Sequence, residues 1–490
     1  MNPRMKIRSR ALSFAMFAAA AIATLAVFLV APGVALAQGP PQTGLSASAG
    51  LSHAGEPRFF AIKGARIVPV SGPVIEKGTV VLANGIITAV GGDAQIPAEA
   101  EVIDGTGLTV YPGLIDAGTT VGLGEAENAA PAGGRRGGGP RGPVPTKIST
   151  GPQDRPLTTP WVVAADELNL ADPRIISWRE AGFTTGLVQP ENGIFPGQGS
   201  VVDFANEPAG EMVVKPQATL PIAFATEPSF ASFPNSLMGS IAYVRQVFSD
   251  ARWYQDAEAA YAAHREGQEH PAYDRTDVVL GEALKSNEPI LLPANDRLAI
   301  YRAIRLANEW QIHAAMYGAQ NGYEMASEIA ASKMPVFVDV NWPHMEKGAD
   351  EEQITLRELR LWERAPSSPA ALEKAGVTFA FYSGGVKDPK EILKDVKKAI
   401  DAGLSPEDAL KALTVNPAQM LGVGDRLGSI AQGKIANLVV TDGGLFNEKT
   451  KIKDVFVDGH RYRIHEEASP GPPGGGHKPP MQSGNEGVER

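Results

Sequence analysis

The sequence contains no cysteine among its 490 residues. Disulfides, lipid-modified cysteines and thiolate metal sites are therefore excluded. A chain without free thiols suits an oxidising compartment, where an unpaired thiol is a liability. Basic residues are also in deficit, since 45 Lys and Arg stand against 55 Asp and Glu, for a formal net charge of −10. Nucleic-acid binding needs a basic footprint, so this balance argues against nucleic acid as a partner.

The first 37 residues have the features of a secretory signal peptide. Basic residues are followed by an apolar run over 11–30, and the small residues Ala35-Leu36-Ala37 precede Gln38. If the run were kept it could span a bilayer, and this alternative stays open. Pro32 and Gly33 interrupt the run before the small residues and favour cleavage. We predict a periplasmic or secreted protein that has no membrane segment after cleavage.

The rest of the chain divides into a linker, two β-rich segments and a central α/β segment. Residues 38–57 are rich in Gly, Pro and Ser and are predicted to be a linker. Short apolar runs, with a hairpin signal at Asn84-Gly85, predict strands over 58–108. Similar runs return over 425–465, and the Pro/Gly-rich tail 466–490 is predicted to be disordered. The two ends of the chain are therefore predicted to meet in one small sheet domain.

Residues 109–424 alternate short apolar strands with helices, which predicts a parallel sheet, most simply a TIM-like (β/α)8 barrel. Helical patterns cover 297–310 and 388–402, and Ser405 and Pro406 mark a further helix start. The Gly/Pro/Arg-rich insert 128–145 is predicted to be a mobile loop. The candidate strands are 108–115, 184–188, 220–223, 290–292, 312–316, 336–340 and 377–381.

Several motifs resemble the metal-dependent amidohydrolase superfamily. The run Val110-Tyr111-Pro112-Gly113-Leu114-Ile115-Asp116-Ala117 resembles its first barrel strand, which ends in His-x-His. Residues 403–440 are similar to its closing helices and β unit, although Asn437 stands where the family usually has Asp. Residues 182–185 resemble its second strand, and 197–199 the loop that follows. The resemblance covers most of 60–465, is closest to the imidazolonepropionase-like branch, and implies an α/β barrel with a composite β-sandwich domain built from both chain ends.

The resemblance also implies a centre of one or two zinc ions at the barrel mouth, where metal-bound water ionises near neutral pH. Its ligands are two His on strand one, a carboxylate on strand four, one His each on strands five and six, and an Asp on strand eight. Other residues stand at the positions that can be placed, and they are Gly118, Thr120, Pro293, Tyr317 and Gly384. The strand-four ligand cannot be placed. We therefore predict no bound metal or other cofactor, and we assign no catalytic residue.

Polar residues predicted at the same mouth could bind a small molecule. The candidates are Thr120, Glu191, Asn295, Tyr317, Ser383 and His344. The alternative, that these side chains only fill a former active site, stays open. His344 could form a partial metal site with Asp339 or Glu346, or could be an ordinary histidine of a surface loop.

Two functions remain open from the sequence. The first is a secreted, catalytically degenerate amidohydrolase that binds a ligand or pairs with an active relative. The second is an active hydrolase of carbon–nitrogen bonds, in amides or cyclic amides, that uses a non-standard site. Association into a homo-oligomer is a further expectation.

Overall fold

The computed structural model describes residues 59–124, 155–225, 234–345 and 351–464. The predicted signal peptide, the linker 38–57, the insert 128–145 and the tail 466–490 lie outside these residues and stay predictions. Within the described ranges, no helix is both long enough and apolar enough to cross a membrane. The domain boundaries likewise stay predictions.

The strands are β1 (Phe59–Ile67), β2 (Ile75–Ala83), β3 (Ile86–Gly91), β4 (Glu101–Asp104), β5 (Thr109–Pro112), β6 (Leu114–Thr119), β7 (Phe183–Val188), β8 (Gly199–Asp203), β9 (Val213–Pro221), β10 (Ile290–Ala294), β11 (Ala314–Gly318), β12 (Val336–Asp339), β13 (Phe379–Tyr382), β14 (Leu438–Thr441), β15 (Ile452–Val457) and β16 (His460–Arg463). The helices are α1 (Arg174–Glu180), α2 (Ala209–Met212), α3 (Leu237–Ala263), α4 (Arg275–Ala283), α5 (Arg297–Trp310), α6 (Gly322–Ser332), α7 (Leu356–Arg364), α8 (Ser368–Lys374), α9 (Pro389–Asp401), α10 (Pro406–Ala412) and α11 (Val415–Met420). Short 3-10 turns cover Ala164–Glu167, Glu351–Gln353 and Ala365–Ser367.

The first sheet combines strands from both ends of the described chain. Its order is β16-β15-β14-β5-β1-β2-β3, with β4 paired to β1. The predicted hairpin joins β2 to β3, and Asn84 and Gly85 supply the two positive φ angles, 49° and 81°, that such a turn requires. Strand β14 pairs antiparallel with β5, which confirms that the two ends meet in one sheet.

This sheet folds over its own core. The rings of Phe60 in β1 and Phe456 in β15 lie 5.5 Å apart. Their strands are three steps apart in the sheet order, which in a flat sheet would separate them by about 14 Å. The two faces of one continuous sheet therefore meet, and this forms the composite β domain that the sequence predicts.

The second sheet is the barrel, with the order β13-β12-β11-β10-β9-β8-β7-β6. Directly after β13, the backbone N–H of Ser383 donates to the Asp116 carboxylate of β6 at 2.9 Å, so the first and last strands lie side by side. The predicted α/β barrel is confirmed. Apolar side chains of all eight strands form one core cluster, which includes Ile115, Leu187, Val201, Ala218, Leu291, Ala315, Phe337 and Ala380.

Three strand predictions need correction. Strand β8 runs antiparallel to both neighbours, so the barrel sheet is mixed, and its first residue, Gly199, was predicted to lie in a loop. The strand predicted over 108–115 is two strands, because the chain passes from the first sheet into the barrel at Gly113. A Cβ there would lie 2.1 Å from Thr184 Oγ1, so only glycine fits. The strand predicted over 220–223 ends at Pro221 and begins at Val213, in a polar stretch that does not show strand alternation.

The predicted helix signals are confirmed. Helix α5 has the predicted bounds, and the carboxylate of Asp296 caps it by accepting from two backbone N–H groups. Helix α9 begins at Pro389 with Asp388 as its cap, and α10 begins at Pro406 with Ser405 as its cap. Helices α5 and α9 follow β10 and β13, so the residues between each strand and its helix lie at the carboxyl end of the barrel.

Candidate functional site at the barrel mouth

The altered ligand positions lie together at the carboxyl end of the barrel strands. Pro293 and Tyr317 are directly paired across β10 and β11. Gly118 is near the end of β6 with Thr120 just beyond it, and Gly384 follows β13 by two residues. The residues predicted to stand at the family's ligand positions thus lie at one end of the barrel.

Neighbouring side chains fill the place at Gly118. A Cβ there would lie 3.1 Å from Gln189 Nε2 and 3.2 Å from Tyr382 Cδ2. Both distances are shorter than ordinary van der Waals contact, so a side chain at this position would require the Gln189 amide and the Tyr382 ring to shift. The first corner of the family's metal site is therefore filled by groups from β13 and the end of β7.

A carboxylate from another strand takes the place at Gly384. The φ angle of Gly384 is +54°, and a Cβ there would lie only 1.7 Å from Asp339 Oδ1. The Asp339 carboxylate, which comes from β12, accepts the backbone N–H of Asn341 at 2.8 Å. Asn341 in turn donates its side-chain N–H to the Gly384 carbonyl at 3.0 Å. Where the family has a strand-eight Asp, this chain has glycine, and a strand-seven carboxylate fills the space.

The positions on strands five and six also lack a metal ligand. Pro293 offers no donor atom, because its side chain is a hydrocarbon ring. The Tyr317 hydroxyl donates to the backbone carbonyl of Ile222 at 3.1 Å. Burial and the charge of Glu191 raise the pKa of Tyr317 to about 12, so its phenol is neutral near pH 7.

These residues do not fit the zinc centre that the fold implies. Of the five positions, two are glycines against which neighbouring side chains pack, one is a threonine whose hydroxyl accepts from Arg174, one is proline, and one is a hydrogen-bonded neutral phenol. Across the ranges that the structure describes, no three His, Cys, Asp or Glu side chains converge as a group that could hold a metal ion. No reaction step is therefore assigned to a metal here.

The mouth is instead lined by acids and phenols that act on one another. The pKa of Asp339 is raised to about 7, chiefly by burial; the Asn341 N–H and the Tyr382 hydroxyl oppose the rise, and the nearby Asp116 adds to it. Burial and the charges of Asp339, Glu191 and Asp116 hold the pKa of Tyr382 well above its usual value. Glu191 is exposed at the rim, where partial loss of solvent raises its pKa.

Asp116 holds the barrel closed beneath this mouth. Its carboxylate is 1% exposed and accepts from Trp178 Nε1 at 2.9 Å, from Ser383 N at 2.9 Å and from Gly118 N at 3.3 Å. Burial raises the pKa of Asp116 to about 6, and the three donors oppose that rise. Asp116 therefore ties β6 to β13 and to α1.

The structure brings some of the predicted binding residues together and leaves others apart. Tyr317 faces the interior and interacts with Glu191. Asn295 is exposed at the rim, where its Oδ1 lies over Gly318. The Thr120 hydroxyl accepts from Arg174 at 3.0 Å. A binding role for these residues stays a prediction.

Ser383 and His344 have other surroundings. Ser383 is 2% exposed, and its hydroxyl donates to the Gly118 carbonyl at 3.3 Å, as expected of a structural residue. His344 is exposed, and its Nδ1 lies 2.9 Å from the Trp342 carbonyl oxygen. Asp339, proposed as its partner, instead lies against Gly384. Glu346 is outside the described residues.

Sequence reasoning missed Gln189, Thr219 and Tyr382. Gln189 and Tyr382 each lie two residues beyond an inward-facing core residue, so the period-two alternation of β7 and β13 could have identified them. Thr219 stands opposite Gly199 on β9, which is the fourth barrel strand. The irregular pairing of β8 with β9 hides this position from pattern analysis.

Comparisons with known proteins agree with this architecture. Residues 291–462 match the family model described as the Amidohydrolase family. An amidohydrolase structure from Thermotoga maritima is 30% identical, with a TM-score of 0.68, over 82% of this chain and 100% of that chain. An adenine deaminase from Methanopyrus kandleri is 34% identical over 123 residues, which is 23% of this chain. One from Lactobacillus delbrueckii subsp. bulgaricus is 39% identical over 72 residues, or 15% of this chain.

The curated relatives match only in part, since the chain spans 12% of the Lactobacillus protein and 20% of the Methanopyrus protein. The Thermotoga protein, by contrast, is covered along its whole length. With the mixed barrel and the two-ended β sheet, this match establishes that the chain belongs to the amidohydrolase family.

Proposed function

We propose that this protein is an amidohydrolase without the family's metal centre, which binds a small molecule at the barrel mouth rather than hydrolysing it. The observation that carries the proposal is the occupancy of the former ligand places. Gln189 and Tyr382 fill the space at Gly118, and Asp339 fills the space at Gly384. Such a site cannot polarise a water molecule in the family's way, but it keeps partly exposed polar groups that can bind a ligand.

Metal analysis of the purified protein tests this proposal. We expect a zinc content far below one ion per chain after purification without chelator, and no change in thermal stability when EDTA is added. Near-stoichiometric zinc, lost on chelation together with a hydrolase activity, would overturn the proposal. An active family member purified in parallel provides the control for metal retention.

A second candidate function is an active hydrolase of carbon–nitrogen bonds with a non-standard site. The observation that favours it is the Asp339 carboxylate, which stands in the place of the strand-eight Asp and has a pKa near neutrality. Two partial relatives are named adenine deaminases, which are hydrolases of this class. Hydrolysis of a simple amide panel that is abolished in Asp339→Asn but retained in His344→Ala would favour this second function.

Export and partners belong to the same proposal. Residues 1–37 would be removed on secretion, so that the mature protein acts in the periplasm or outside the cell. The support is the basic, then apolar, then small-residue order of that segment. We further propose association with a second copy or with an active amidohydrolase, and size-exclusion chromatography with light scattering tests the first of these.

A further inference from the structure

We infer that the ligand of the barrel mouth is a small organic cation, of which a protonated alkyl amine is the simplest example. The inference rests on the proposed ligand-binding function and names the chemical class that this site would take. The residues of the mouth that support it are Gln189, Glu191, Thr219, Asp339 and the two tyrosines, Tyr317 and Tyr382.

The charges at the mouth favour a cation. Glu191 acts on both phenols and raises their pKa values, and Asp339 and the buried Asp116 add to the rise at Tyr382. The basic side chain that acts on Glu191 is Arg174, and its guanidinium already bonds the Asp172 carboxylate at 2.7 Å and the Thr120 carbonyl at 3.0 Å. A bound cation would interact favourably with these carboxylates, and the interaction is stronger in a partly desolvated site because the effective dielectric constant is lower there.

Lys387 does not supply that charge. It is exposed, and with Arg174, Trp178 and Asp388 it lines a crevice of about 260 Å³. This crevice contains carboxylates of its own, including Glu180.

Two buried polar atoms near the mouth have no hydrogen-bond partner among the described residues. Thr219 is 2% exposed, and its Oγ1 has no hydrogen-bond partner among the described residues. Gln189 Oε1 is likewise buried and without a partner in the part of the chain that the structure describes. Both side chains pack against Gly199, and the Gln189 amide also packs, with the Tyr382 ring, against Gly118. The amide oxygen of Gln189 can only accept, and the Thr219 hydroxyl can accept or donate, so an ammonium group with its three donors can satisfy both atoms.

The spacing of the acidic side chains favours an organic cation over a metal ion. The acids are spread around the mouth, and among the described residues no three of them converge on one point. A metal ion needs such convergence, whereas an alkyl ammonium can satisfy scattered acceptors and lay its hydrocarbon part on tyrosine rings. Tyr317, Tyr382, Gln189 and Asp339 all keep part of their surface exposed, so the floor of the mouth is accessible.

Calorimetric titration of the full mature protein at constant ionic strength tests the inference. The probes are n-butylammonium chloride, 1-butanol and sodium butyrate, which share a chain but differ in charge. We expect n-butylammonium to bind about tenfold more tightly than either of the others, the ratio typical of one charge-assisted hydrogen bond.

Variants locate the binding. Asp339→Asn should weaken n-butylammonium binding about tenfold, and the rim variant Glu191→Gln roughly threefold, because a more exposed charge contributes less. If Asp339→Asn fails to fold, Glu191→Gln still tests whether a carboxylate of the mouth contributes to binding. Glu407→Gln, an exposed carboxylate on α10 away from the mouth, should leave binding unchanged.

The inference fails if butyrate or butanol binds as well as n-butylammonium, if n-butylammonium does not bind, or if neither mouth variant weakens its binding. It also fails if a stoichiometric divalent metal ion displaces the amine. Preferred binding of butanol or butyrate would show that the ligand is not a cation, but the proposed ligand-binding function would still hold. Zinc-dependent turnover would overturn the proposed function but would not by itself remove the measured preference for an amine.

Discussion

At the scale of single residues, Asp116 has a structural role within the motif that resembles the family's first barrel strand. A fully buried carboxylate with a pKa of about 6 is more protonated in the folded than in the unfolded chain. Its contribution to stability therefore falls as pH rises from about 4 to about 6, by roughly 3 kcal/mol in total. The three donors around it limit this loss.

Trp178→Phe removes one of those donors. The unfolding temperature should fall more at pH 8, where Asp116 is ionised, than at pH 5, where it is largely protonated, because a hydrogen bond to a charged acceptor is worth about 1.5–3 kcal/mol. Scanning calorimetry at the two pH values measures the difference. Trp342→Phe is the matched control, because Trp342 Nε1 donates to a backbone carbonyl, that of Asp395, at 2.8 Å. Equal pH dependence in both variants would contradict the role given to Trp178.

The pair of Gly384 and Asp339 gives a second prediction. Gly384→Ala should destabilise the protein by about 2–4 kcal/mol, because it adds a steric conflict with Asp339 to the cost of a left-handed backbone. Gly376→Ala is the control, since Gly376 has a φ of +73° and open space around its Cβ, and should cost only about 1 kcal/mol. Thermal unfolding compares the two. Adding Asp339→Ala to Gly384→Ala should recover part of the loss, and the absence of any recovery would argue against the conflict.

The sequence predicts which residues stand at the family's ligand positions, but not which side chains pack beside them. Gly384 is recognisable from its distance to the strand-eight motif. That Asp339 fills its space depends on the pairing of β12 with β13, which sets Asp339 opposite Tyr382. Such cross-strand neighbours become visible only when the register of both strands is known.

At the scale of elements, Asn437 joins the first sheet to the barrel. At the β14 end of the small sheet, its amide donates to Asp203 Oδ1 at 2.9 Å and to Thr185 Oγ1 at 3.1 Å, and its oxygen accepts from Asp458 N at 2.8 Å. Burial and the neighbouring Asp458 hold the pKa of Asp203 well above its usual value. An amide, rather than the Asp usual in the family, suits a place that already contains two carboxyl groups.

Asn437→Asp should therefore destabilise the protein by about 3–5 kcal/mol at pH 7.5, because it replaces a donor with another buried acid. The loss should shrink at pH 5, where the carboxyl groups take up protons. Denaturant or thermal unfolding at both pH values measures it. Asn447→Asp, in the exposed β14–β15 connection, should be neutral at both. A variant at 437 as stable as the wild type at pH 7.5 would rule out this account.

The elements with a local signal were the ones that could be predicted. Asn84-Gly85 sets its hairpin by φ preference, and Asp296, Asp388 and Ser405 set their helices by capping. Strand β8 could not be predicted, because the glycine at its start is typical of a loop. Position 199 requires glycine because the Thr219 side chain of β9 leaves no room for a Cβ there.

At the scale of the whole molecule, export gives a prediction that mass spectrometry can check. Expressed from its full sequence in a bacterial host, the protein should be recovered from the periplasm or medium with a mass that begins at Gln38. A variant with Ala35→Leu and Ala37→Leu should keep the leader, because signal peptidase requires small residues there. Recovery of an intact Met1 form from the wild type would contradict cleavage.

The sheet that joins both ends of the chain has a consequence for biogenesis. The hydroxyl of Thr441 in β14 bonds the carbonyl of Thr109 in β5, across a sequence separation of 332 residues. Strands β1 to β5 are therefore made early and keep an open edge until nearly all of the described chain has been synthesised or translocated. An open strand edge is a template for aggregation, and long-range pairing folds slowly. The newly made protein should thus be most prone to aggregation before β14 pairs with β5.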